Sequence, residues 1–138
     1  MKLMTIFKLF VLLTLTFVTV SSYSYSLKSW DTLVSEHQKA LDSKGYFVDS
    51  DRGHYYVGLK SLQEDSLETE FEFLLQFEDR VSSILSGLCD DLNLSLPPSY
   101  LFNLPFSKNI VEDDFGTLFI ATLRKNVLRD EAILVCVR

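Results

Sequence analysis

At 138 residues the chain has the size of one compact domain and enough length to bury a core without staples. Its 19 acidic and 13 basic residues leave a net charge of −6. That balance argues against nucleic acid and anionic lipid as partners, since both call for a cationic footprint, and it leaves room for a basic protein partner.

The chain opens on a short basic segment with Lys2 and Lys8, followed by an apolar run from Leu9 to Val20 and then a Ser/Tyr tract. A charged start, about a dozen apolar residues and a small-residue exit form the layout of a secretory signal peptide. Residues 1–24 are read as that peptide, with Ser22 and Ser24, or Ser24 and Ser26, at the cleavage site. Residues 25–138 are read as a single domain. An uncleaved anchor is the competing reading, but a spanning helix needs roughly 20 apolar residues and Lys8 leaves this run short. Without the two leader lysines, 11 basic residues face 19 acidic ones and the exported part carries −8. The expected location is secreted or periplasmic, with no membrane contact after cleavage.

Ser29 is placed to cap a helix that starts at Trp30, with the apolar stripe Trp30, Leu33, Val34, His37 and Leu41. Gly45 supplies its left-handed stop. Tyr46–Val48 reads as a short strand, Asp49–Gly53 as a turn, and His54–Lys60 as the second strand of a hairpin. In that strand Tyr55, Val57 and Leu59 face one side, and His54, Tyr56, Gly58 and Lys60 face the other.

The stretch from Leu67 to Leu92 carries two periodicities. Phe71, Phe73, Leu75 and Phe77 alternate with polar residues as in a half-buried strand, whereas Leu67, Phe71, Leu74, Phe77, Val81, Ile84 and Leu88 recur at helical spacing. Aromatic residues alternating with glutamates favour a strand through Phe77. Asp79 then caps a helix with the stripe Val81, Ile84, Leu85, Leu88 and Leu92, in which Gly87 costs about 1 kcal/mol relative to alanine.

From Asn93 to Asp114 three prolines deny helix and central strand, yet the segment is too apolar for a free linker. It is expected to be an ordered loop pinned to the core. Asn93 begins an N-glycosylation sequon that has meaning only in a eukaryotic secretory route. Gly116–Leu123 reads as a strand, Arg124–Glu131 as a charged hairpin connection, and Ala132–Val137 as a central strand, apolar on both faces. The order α-β-β-β-α-loop-β-β describes an α+β domain: a mainly antiparallel sheet of four to five strands with two helices packed on one face.

Cys89 and Cys136 are expected to pair, because export makes a disulfide permissible and an even count leaves no orphan; the alternative is two buried free thiols. No residues announce catalysis. His37 belongs to a core stripe, and Cys89 sits beside Asp90 and Asp91, which oppose thiolate formation. The tract Asp49 to His54 looks superficially like a calcium loop, but strand residues follow at once and Arg52 adds a positive charge inside it. It reads as a turn, and no metal or cofactor is expected.

The remaining signal is a surface for a protein partner. It pairs Tyr100, Phe102 and Phe106 on the proline-bounded loop with the acidic run Glu112, Asp113 and Asp114. The same aromatics tucked under the sheet would be ordinary core. The expected function is that of an inhibitor, an immunity-type protein or an accessory subunit, acting without catalysis. The alternatives are an exported enzyme with carboxylates assembled from separate elements, or a membrane-tethered subunit. The sequence leaves the oligomeric state open.

Overall fold

The computed structural model describes residues 27–138. The signal-peptide and anchor readings of residues 1–24 lie outside them. Helix α1 (Trp30–Lys44) leads into the hairpin β1 (Tyr46–Ser50) and β2 (His54–Ser61). The long helix α2 (Leu67–Asp91) follows, then a second hairpin, β3 (Ser107–Asp113) and β4 (Gly116–Arg124), and finally α3 (Lys125–Val135). The fold is α+β, with a four-stranded antiparallel sheet in the order β1-β2-β4-β3.

α1 forms for the reasons legible in its ends. The Ser29 hydroxyl accepts the Thr32 N–H, Asp31 sits in the first turn, and Gly45 at φ 78° closes the helix with its N–H on the Leu41 carbonyl. Leu33 and Leu41 bury against Phe47, Tyr56 and Ile120 on one face of the sheet. The other face, with Val57, Leu59, Phe119, Ala121 and Leu123, lies under α2 and α3. The two helices expected to share a face, α1 and the helix that follows the first hairpin, therefore lie on opposite faces: α1 covers one, and α2 with α3 the other.

The expected division at Glu78–Asp79 does not occur. Leu67 to Asp91 is one helix of 25 residues, and Phe71–Phe77 is not a strand. The deciding pattern is a spacing of four: Thr69, Phe73, Phe77, Val81, Leu85 and Cys89 are all buried. Phe71, which a strand would have placed beside Phe73, is exposed. At 3.6 residues per turn each step of four rotates the ridge by about 40°. Phe73 and Phe77 accordingly meet Phe119 on the sheet, while Cys89 reaches the end of α3. Ser66 caps the start. At the other end Asn93, at φ 58°, closes a Schellman motif with Leu94 N–H on the Cys89 carbonyl and its own N–H on Asp90.

Two further expectations are corrected. Arg124–Glu131 is not a hairpin connection and Ala132–Val137 is not a strand, because α3 runs through both with Leu128 and Ala132 as its buried pair. What survives of strand pairing there is one bridge, Ser95 with Val137. Within the expected loop, Ser107–Asp113 instead forms edge strand β3, paired from Ser107–Thr122 to Asp113–Gly116. Its exposed polar positions conceal it from an apolar count, since only Ile110 is partly buried. Cys89 and Cys136 form a disulfide with Cα atoms 5.5 Å apart.

Candidate functional site

The six residues expected to form one partner surface separate into two groups. Phe102 and Phe106 pack on Phe77, with ring centroids 5.5 and 4.5 Å away, and on each other at 5.9 Å. Tyr100 joins the same cluster, and burial, with Glu131 second, raises its phenol pKa. The aromatics thus pack with the core. Glu112, Asp113 and Asp114 are exposed at the far end of β3 from Phe106, about 20 Å away at 3.4 Å per residue.

The acids belong to a different neighbourhood, built around the β3–β4 turn. Asp113 turns the chain by accepting the Phe115 N–H at 2.7 Å, and Gly116 follows at φ 127°. Gly116 is also pressed against the end of β2: a Cβ there would lie 2.0 Å from the Ser61 carbonyl oxygen. The buried Thr117 hydroxyl donates to the Gln63 carbonyl at 2.8 Å, and the Thr69 hydroxyl donates to the Glu64 carbonyl at 2.9 Å. These bonds hold residues 62–66 and the first turn of α2 beside the acidic turn.

At this end of the sheet lie Glu64, Asp65, Glu68, Glu70 and Glu72 from one segment and Glu112, Asp113 and Asp114 from the other. Residues 62–72 and 111–116 contain no lysine or arginine. Apolar side chains stand exposed among these acids: Leu62 at 86 %, Leu67 at 86 %, Phe71 at 61 % and Phe115 at 74 %. Leu67, Phe71 and the half-exposed Leu75 follow at intervals of four, so they form one line along α2, turned away from the buried Phe73–Phe77 ridge. The strand reading concealed this line by assigning Phe71 and Leu75 to the sheet. The signal that could have found it is that the stretch satisfies two four-residue ladders, one more than a single core contact needs.

Two other titratable clusters are engaged internally. Glu36, His37 and Asp49 converge closely enough to suggest a metal site. The Lys28 ammonium already lies there, 3.1 Å from Glu36 and 3.2 Å from Asp49, while His37 Nε2 is 2.9 Å from Asp49 and its ring stacks on Phe47. These residues make a fitted ion network, and nothing in their arrangement calls for a metal. Burial alone would raise Asp49, but hydrogen bonds from His37, Ser50 and Lys28 outweigh it and hold the carboxyl below its usual value. In the calcium-like tract, Asp51 accepts the N–H groups of Gly53 and His54 and the Tyr56 hydroxyl at 2.6 Å. That carboxylate shapes the turn, as expected of a hairpin. Burial pulls its pKa up and these donors bring it down by more.

Comparison with family models, with curated proteins and with solved structures finds no match for this chain. Among the described residues, no helix is long and apolar enough to cross a membrane.

Proposed function

We propose that this chain is a small exported protein that acts by binding a basic protein partner, without catalysis, through the acidic and apolar end of its sheet. The observation that carries the reading is the exposed line Leu67–Phe71–Leu75 on α2, in a segment, residues 62–72, that holds five carboxylates and no lysine or arginine. An apolar line at intervals of four suits the face of an amphipathic partner segment, and the acids supply steering and register for a basic one. Glu112, Asp113 and Asp114 belong to this proposed surface, and Tyr100, Phe102 and Phe106, packed against Phe77 and the core, lie apart from it. Export is supported by the leader-like start and by the disulfide, which persists in oxidising compartments.

A photo-crosslinking residue placed at Phe71 in the producing cells tests the proposal. The expected product is an adduct with a basic protein that weakens when Glu112→Gln, Asp113→Asn and Asp114→Asn are combined. An adduct of unchanged yield in the triple variant, or none from Phe71 while a probe on α1 gives one, would remove this surface from consideration.

A further inference from the structure

The opposite end of the sheet carries the reverse charge. There His54 of β2 pairs with Arg124 of β4, and the Lys125 N–H donates to the Gly53 carbonyl at 2.8 Å, which folds the start of α3 against the β1–β2 turn. Between them lies a cleft of about 340 Å³ walled by Arg52, His54, Arg124, Lys125 and Arg129. Four cationic side chains thus share one hollow in an acidic protein, and among the described residues none of the four forms an ion pair. α3 starts here without a side-chain cap and without an acid in its first turn, so the positive end of the helix adds to the same field.

His54 forms part of the wall, with its Nδ1 turned toward the β1–β2 turn. It is 8 % exposed, and its Nδ1 has no hydrogen-bond partner although it stands 3.4 Å from Asp51 Oδ1. The ring is a shared wall between this cleft and a neighbouring hollow of about 290 Å³, whose far side is lined by Pro105 and Phe106. Four gathered cations without a counter-ion disfavour an empty site, and a bound anion relieves their mutual repulsion.

We propose that this cleft binds the phosphoryl group of a small organic phosphate. Arg52, Lys125, Arg129 and the uncapped amides of α3 take the phosphoryl oxygens, and the organic part passes Arg124 and His54 into the neighbouring hollow. Arginine forks and helix-end amides offer more donors than the two oxygens of a carboxylate engage, whereas a phosphate monoester presents three terminal oxygens. The site is separate from the acidic end and stands whether or not that end binds a partner.

Isothermal titration of the purified chain with phenyl phosphate, inorganic phosphate and benzoate at constant ionic strength tests it. The expected result is one saturable site per chain, with phenyl phosphate bound more tightly than phosphate and benzoate bound weakest. Lys125→Gln with Arg129→Gln is expected to weaken phenyl phosphate at least ~10-fold, and Lys108→Gln on β3 to leave it unchanged. Arg52→Gln, on an exposed turn residue, provides a second variant should the pair disturb α3. Absence of saturable heat, or cleft variants with wild-type affinity, would overturn the site. Benzoate binding as tightly as phenyl phosphate would overturn the phosphoryl assignment, and inorganic phosphate doing so would overturn the organic part.

Discussion

The Tyr100 hydroxyl is buried and meets no hydrogen-bond partner. Such a group costs about 1–3 kcal/mol that its removal recovers in part, so Tyr100→Phe is expected to raise stability by about 1 kcal/mol in denaturant titration. It should leave partner capture unchanged, which also separates this residue from the binding surface. Gly58 faces the opposite risk: a Cβ would lie 2.0 Å from the Phe47 ring, so Gly58→Ala is expected to cost about 1–3 kcal/mol through overpacking. Asp49 and Asp51 have folded pKa values below their ordinary one. A depressed carboxylate lends stability above its unfolded pKa, near 3.9, and loses it as pH falls through the folded value. The denaturation midpoint should therefore hold between pH 6 and 5 and drop below about pH 4, less steeply in Asp51→Asn.

At the scale of elements, α2 decides what the sequence does and does not reveal. The ends of α1 are written locally, in Ser29 and Gly45, and the β1–β2 hairpin in the alternation of His54 to Lys60; both match the structure. The N-terminal half of α2 carries a period-two and a period-four pattern at once, and only contact with Phe119 and α3 selects between them. Strand β3 failed for the reverse reason, because an edge strand with exposed side chains leaves no apolar alternation to read. The candidate surface was legible in its acids but not in its apolar half, which depended on the helix. Phe77 touches Phe102, Phe106 and Phe119, so Phe77→Ala is expected to cost about 3–5 kcal/mol and to loosen the loop from Pro97 to Phe106. Protease sensitivity of that loop is the check.

For the molecule as a whole, net charge conceals the arrangement of charge. The composition describes an acidic protein and argues against nucleic acid and anionic lipid, whereas the fold gathers Arg52, Arg124, Lys125 and Arg129 at one end of the sheet and the carboxylates around Asp113 at the other. These cations lie in separate segments, which spacing along the chain does not bring together. Association driven by the acidic end should slow as salt rises from 0.05 to 0.5 M, as the screening length contracts from above about 10 Å to below it. A partner on-rate insensitive to salt would mean that the acids do not steer it. The disulfide spans a separation of 47 residues that contains β3, β4 and all of α3. Its reduction is expected to cost about 4 kcal/mol in the chain-entropy treatment, read as a shift of the urea midpoint with and without reductant.

That bridge also sets an order of events. Cys89 emerges during synthesis well before Cys136, and until α3 has been made its thiol has no partner within the chain. A chain interrupted between Cys89 and Cys136 carries an odd thiol, which in an oxidising compartment is open to pairing with another molecule. Completion of the polypeptide thus gives that thiol its partner, and copies broken between the two cysteines are expected to cross-link wherever the surroundings are oxidising.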